Sequence, residues 1–287
     1  MKLNTFFFAY LMFWVTPFFA QKLEPFQLYT KNGTKVSYKT LVRDCSRQDV
    51  VLFGEFHNNS IVHWLQLQLM KDLSQKRALI FGLEMFERDQ QMVLNQYLNN
   101  EINQKRFDTI TRFWNNYKTD YHPMVSFAKD KNIPVIATNV PRKYASLLYK
   151  QGEESLMKLS DDEKQWIAPL PFPYDASLPA YQEMLKMFDD PTHANPNFPK
   201  AQAIKDATMA YSITENWKQG QLFYHIQGSY HSNNYEGIFW YLKKYNSNLK
   251  VLTISVVEVE DVSKFNKEDK NLADYIFYIP SDMIKTY

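Results

Sequence analysis

Cysteine is nearly missing from this sequence. The 287 residues hold one, Cys45, so no internal disulfide can form and no thiolate cage for zinc or an iron–sulfur cluster exists. Any metal or cofactor must be held by His, carboxylate, Tyr or Met. Excess charge of one sign is missing too. The formal net charge is +2, part of it from Lys2, and Lys and Arg are scattered among Asp and Glu rather than striped, which argues against nucleic acid as a partner. No Gly-x-Ser-x-Gly occurs and Cys45 precedes the first core strand, so serine or cysteine nucleophile chemistry has no support. Cys-x-x-Cys-His is absent, and haem could be held only non-covalently. There is no repeat of solenoid period and no low-complexity tract.

What is abundant is aromatic. Tyr (19), Phe (21) and Trp (6) make up 16% of the chain against only 7 Gly. Six of the Phe fall in the first twenty residues. The remaining tyrosines suit a flat ligand with polar edges, although a Tyr-heavy core and surface account for most of them. At the start, Lys2, an apolar run from Phe6 to Val15 and Ala20 before Gln21 have the form of a signal peptide over residues 1–20, despite the large Phe18 near the cut. The run is too short to span a membrane comfortably, and no cysteine follows it to carry a lipid. A periplasmic or secreted protein is expected, not a lipoprotein, with residues 21–287 as one domain.

Short apolar runs recur at Val50 to Phe53, Ala78 to Leu83, Ile133 to Ala137, Leu222 to Ile226 and Val251 to Val257, with a further strand at Tyr275 to Ile279. They read as buried parallel strands. Ile61, Leu65, Leu69 and Leu73 repeat at helical spacing, and His122-Pro123 opens another helix. This alternation predicts an α/β fold, a mostly parallel central sheet flanked by helices. Leu28 to Tyr38, broken by Asn32-Gly33, resembles a small hairpin. Residues 143–200 depart from the rhythm. A capping box at Ser160 to Glu163, four prolines from Pro169 to Pro179 and a helix from Leu178 to Phe188 read as an inserted helical lid.

The chemistry gathers where the strands end. Val50 to Phe53 runs into Gly54-Glu55-Phe56-His57 and then a helix capped by one of Asn58, Asn59 and Ser60. Phe223 to Ile226 runs into Gln227-Gly228-Ser229-Tyr230-His231. In open parallel sheets the carboxyl ends of strands border a ligand crevice. Glu84 and Arg142 end up on the same rim, so Glu55, His57, Glu84, Arg142 and His231 are the candidate polar rim. A buried Glu84 needs a partner, such as Arg142 or a metal. His225 reads as core, His63 as incidental and His122 as a helix start. Glu55, His57 and His231 offer ligands for a divalent ion that would acidify water for hydrolysis, without the compactness of His-Glu-x-x-His. The other use is cofactor binding without turnover. A plain interaction module would instead bind no ligand and show a rim of mutually satisfied ion pairs.

Gly54-Glu55-Phe56-His57, Leu83-Glu84-Met85-Phe86, Asn139-Val140-Pro141-Arg142, Asp206-Ala207-Thr208-Met209-Ala210 and Gly228-Ser229-Tyr230-His231 occur in order. With them the chain, from about Asp49 to Val257, resembles the ChaN family of haem-binding uptake proteins, which looks related to the Tiki and TraB proteins and the erythromycin esterases. The resemblance implies an exported, iron-regulated protein that holds haem between two subunits, often through a tyrosine. A homodimer and an outer-membrane haem receptor or transporter are the partners so implied. The shared motifs mark the crevice, not the iron ligand. The lid supplies candidates for that ligand, Tyr174 and Tyr181 first and His193 next. A metal-dependent hydrolase built on the paired Gly-x-x-His turns is the alternative.

Overall fold

The computed structural model describes residues 24–187 and 195–287. The signal peptide expected over residues 1–20 lies outside the described residues, as do Phe188 and His193. Among the described residues seven strands form one sheet in the order β1-β7-β6-β2-β5-β3-β4. These are β1 (Gln27–Thr30), β2 (Val50–Glu55), β3 (Leu79–Glu87), β4 (Val135–Asn139), β5 (Leu222–Gly228), β6 (Val251–Val259) and β7 (Tyr275–Pro280). Every pairing is parallel except that of the short edge strand β1 with β7.

Alternation along each strand sends neighbouring residues to opposite faces, and both faces are covered. Val51, Phe53, Phe81 and Leu83 pack under α1 (Tyr38–Cys45), α2 (Ser60–Ser74), α3 (Gln91–Leu98), α4 (Gln104–Ile110) and α5 (His122–Asp130). Val50, Leu52, Ile80 and Phe223 face the other layer. That layer holds α6 (Arg142–Gln151), the short α7 (Glu154–Met157) and α8 (Asp161–Lys164), α9 (Pro179–Lys186), α10 (Asn197–Asn216) and α11 (Ile238–Tyr245). In α2 the predicted stripe holds, with Leu65, Leu69 and Leu73 buried. Asn59 is the cap: its Oδ1 accepts from the Ile61 and Val62 amides at 3.2 and 3.3 Å.

Of the expected lid over residues 143–200, the described residues form part of a helical layer packed on the sheet. The capping box at Ser160 is present and starts α8. Tyr144, Leu148, Leu156, Ile167, Phe172, Tyr181 and Met184 all enter the core cluster of the second face. Two expectations need correction. The hairpin over Leu28 to Tyr38 shrinks to one bridge between Tyr29 and Lys35, because Ser37 accepts from the Thr40 amide and starts α1 where a second strand would run. In addition, β3 runs on to Glu87 with a register shift against β4 after Leu83, so Glu84 lies within the strand, not at its end.

Gly54 sits one residue before the end of the buried strand β2, at a point with no room for a side chain. A Cβ there would lie 2.8 Å from Ser229 Cα and 3.2 Å from the Ile254 carbonyl oxygen, both backbone. Gly54→Ala should therefore cost about 2 kcal/mol or more, seen as a lower urea midpoint at unchanged slope. An unchanged midpoint would mean that the strand edge can shift to admit a methyl group.

Candidate functional site

β2 and β5 are parallel neighbours, with Gly54 opposite Gln227 and Glu55 opposite Gly228. The two Gly-x-x-His turns thus leave the same edge side by side, offset by one residue. The His57 ring lies over Gly228, where a Cβ would sit 2.8 Å from His57 Nε2 and 3.7 Å from Glu84 Oε2. Glycine at 228 is what lets the two halves of the rim touch.

The first half is organised by Glu55, which is buried. Its Oε1 takes His57 Nδ1 at 2.8 Å and the Tyr121 hydroxyl at 2.5 Å, and its Oε2 accepts from Gln66 Nε2 at 2.6 Å. Tyr121 comes from a π-helical turn (Tyr117–Tyr121), an irregularity of the kind found at functional sites. Below it, His63 lies 3.4 Å from both Glu55 Oε2 and Asp120 Oδ2. Burial alone would lower the His57 pKa, but the Glu55 hydrogen bond and the charges of Glu84 and Glu55 reverse that and hold it above its usual value.

The second half is organised by His231. Its Nε2 lies 3.2 Å from Glu84 Oε1 and its Nδ1 2.5 Å from Asp206 Oδ1, all three groups being buried. Burial opposes the imidazolium, yet the two carboxylates outweigh it and push His231 up to about 10. Burial would likewise raise Glu84, but His231, His57 and the Gly228 amide, which donates to Oε2 at 2.7 Å, hold it well below the carboxylate range. The Asp206 carboxyl is pushed up by burial in spite of His231, and it accepts from the Tyr181 hydroxyl at 3.3 Å.

The rim read from sequence is therefore assembled in four of its five members. Arg142 is the departure: it is exposed, it donates its backbone N–H to Glu87 Oε1 at 3.1 Å, and the partners of Glu84 are His231 and Gly228 instead. His63 is not incidental, since it packs against Glu55 and Asp120. His225 is core as expected, its pKa lowered to about 4 by burial. Tyr181 is buried on Asp206, whereas Tyr174 is half-buried and stacks on it at 5.5 Å. The metal set Glu55, His57 and His231 is not gathered. Among the described residues no three His, Cys, Asp or Glu side chains converge as an ion would need. Their imidazoles already serve carboxylates, His57 through Nδ1 and His231 through both ring nitrogens. Asp206, Tyr121 and Gln66 were missed as site residues; only Asp206 lies in a quoted motif.

A mostly parallel sheet with a polar rim at its carboxyl edge, closed between two helical layers, is the plan of a ligand-holding α/β protein. The chain belongs to the family of haem-binding uptake proteins of the Tiki superfamily, ChaN, whose model matches residues 41–242. Among solved structures it is similar to ChaN of Campylobacter jejuni, described for its cofacial haem binding. That likeness has a TM-score of 0.67 at 17% identity and covers 88% of this chain and 96% of that one. A protein from Bacillus cereus is similar at a TM-score of 0.51 and 11% identity, over 88% of this chain and 94% of that one. Both likenesses speak to the fold. Comparison with curated proteins finds no match.

The His231 triad has a pH signature. A histidine raised from 6.5 to about 10 contributes stability that is complete below pH 6.5 and is lost as pH climbs toward 10. Thermal unfolding should show that alkaline decline. His231→Gln should flatten it and cost about 3 kcal/mol at pH 6.5, because two carboxylates lose their shared cation. Equal alkaline slopes in both proteins would show that His231 is uncharged in the fold.

Proposed function

We propose that this chain is an exported haem-binding protein of iron and haem acquisition, periplasmic or secreted, that holds haem non-covalently without turning it over. The observation that carries this reading is membership of the haem-binding uptake family over residues 41–242. Among the described residues no helix is long and apolar enough to cross a membrane, which agrees with a released protein. The cofacial haem of the Campylobacter jejuni relative supports a site at an interface between two copies of this chain. The haem would come from an outer-membrane receptor or transporter.

The residues of the lid fit such a ligand. Among the described residues the Tyr174 hydroxyl has no hydrogen-bond partner, and Lys200 Nζ stands 5.6 Å from the Tyr174 ring centroid. Lys200, whose Nζ also stands 3.4 Å from Glu153 Oε2, lines a cleft of 510 Å³ with Glu153, Glu154, Met157 and Pro171, and a propionate would take the place of Glu153 on it. An aromatic hydroxyl, an ammonium group for a propionate and apolar side chains are the groups that a non-covalent haem site asks for. Tyr181 is a poorer ligand, since its hydroxyl is buried on Asp206 and burial raises its pKa. Bound by one tyrosinate, haem iron would favour the ferric state, which suits storage or transfer. The rim is read as a clasp that positions α10 and the two turns, and no observation favours the hydrolytic alternative.

Titration of residues 21–287 with ferric haem is expected to saturate with tyrosinate-type bands and to shift the protein toward a dimer on sizing chromatography. Tyr174→Phe should remove those bands. Tyr181→Phe should keep them and cost about 1 kcal/mol of stability. A featureless, non-saturating response would sink the haem reading, and bands that survive Tyr174→Phe would move the iron ligand elsewhere.

A further inference from the structure

A second concave site lies beside His57 and shares no lining residue with the cleft that holds Lys200. It is a cleft of 330 Å³ lined by Phe113, Trp114, Asn115, Asn116, Arg142 and Tyr287, at the small end of the range that takes small molecules. Its walls are fixed in place. Trp114 stands edge-on to His57 at 4.8 Å, and Phe113 stacks on Tyr117 at 3.8 Å. On the outer side, Tyr287 follows Thr286, which is held by the Asn58 carbonyl at 2.9 Å and by Asp120 Oδ2 at 2.7 Å.

Two polar groups in this cleft lack partners. Among the described residues the Arg142 guanidinium makes no ion pair. Its acidic neighbour Glu87 is already engaged, Oε1 by the Arg142 backbone N–H and Oε2 by Arg112 at 2.8 Å. Asn116 is 4% exposed, and its Nδ2 donates to the His57 carbonyl at 2.6 Å and to Asp120 Oδ2 at 2.7 Å. Its Oδ1 is a buried acceptor with nothing to accept from. Leaving such an acceptor unsatisfied is costly, and a ligand donor is one way to remove the cost. Arg142 is the one charged side chain among the lining residues.

We propose that this cleft binds a small planar aromatic acid that also carries an O–H or N–H donor. The carboxylate meets Arg142, whose fork matches carboxylate geometry; the ring lies against Trp114 and Phe113; the donor satisfies Asn116 Oδ1. Each part of the ligand answers one group already on the protein. Size keeps the proposal to a single ring system, not a whole tetrapyrrole.

The test is calorimetric titration of the full protein with 4-hydroxybenzoate, with benzoate lacking the donor and phenol lacking the acid. One saturable site for 4-hydroxybenzoate is expected, with benzoate and phenol each weaker by about fivefold or more. Arg142→Gln should weaken 4-hydroxybenzoate by about tenfold or more while leaving the thermal transition in place, since the side chain it removes is exposed. No saturation at millimolar concentration, binding unchanged by Arg142→Gln, or phenol binding as well as 4-hydroxybenzoate would each overturn the proposal. Haem titration of the same variant keeps the two sites apart. Unchanged haem binding is expected, and joint loss would assign Arg142 to the haem site and overturn the separate one.

Discussion

The fold turns on one buried imidazolium. Glu84 from β3 and Asp206 from α10 are two carboxylates brought to the same interior point, and neither could remain there charged without a cation between them. His231 supplies it from the turn after β5. Strand, helix and turn are thereby held in one arrangement, because a shift of any of them strands a charge in low dielectric. The backbone makes room for the clasp at glycines. Gly237, at φ +51°, lies so close that a Cβ would collide with the His231 carbonyl oxygen. Gly228 leaves space for His57 and offers its amide to Glu84.

The clasp is half of a longer chain. Glu55 is on the side of the sheet that faces α2, with Gln66 and Tyr121, while Glu84 meets α10 on the other side. His57 stands between them at the carboxyl edge, bonded to one and lying in the field of the other. The polar residues therefore pass round the end of the sheet and tie the two helical layers, whose apolar cores are otherwise separated by the strands.

The strands and most of the rim were legible because their signals are local. An apolar run followed by Gly-x-x-His states both the strand and its polar end, and the parallel layout places two such ends together. Non-local partners were harder to read. Asp206 is an acid in a helix whose small residues, Ala203, Ala207 and Ala210, pack against the sheet layer, and nothing nearby in the chain says that it turns inward. Tyr121 reaches Glu55 only because a π-helical turn redirects it. Arg142 was matched to Glu84 by charge and by shared location. Yet the β3 irregularity after Leu83 carries Glu84 toward His231, and Arg142 is left in solvent. Tyr181 and Tyr174 are alike in sequence, and burial alone separates them.

A rim that satisfies itself has consequences for where chemistry can occur. A general base needs a nitrogen or oxygen free to take a proton from water or substrate, and a metal needs ligands with lone pairs to spare. Here Glu84 and His231 spend those groups on each other, on Asp206 and on the Gly228 amide, and Glu55 spends its own on His57 Nδ1, Tyr121 and Gln66, so among the described residues only His57 Nε2 of the rim's ring nitrogens is left without a hydrogen bond. Unsatisfied groups mark the other surfaces: the Tyr174 hydroxyl on the lid, the Arg142 guanidinium and the buried Asn116 Oδ1. Ligands are recognised by groups that still lack partners. On that ground the proposed ligands are placed away from the clasp, whose own part is to tie Glu84 of β3, Asp206 of α10 and the turn after β5 together.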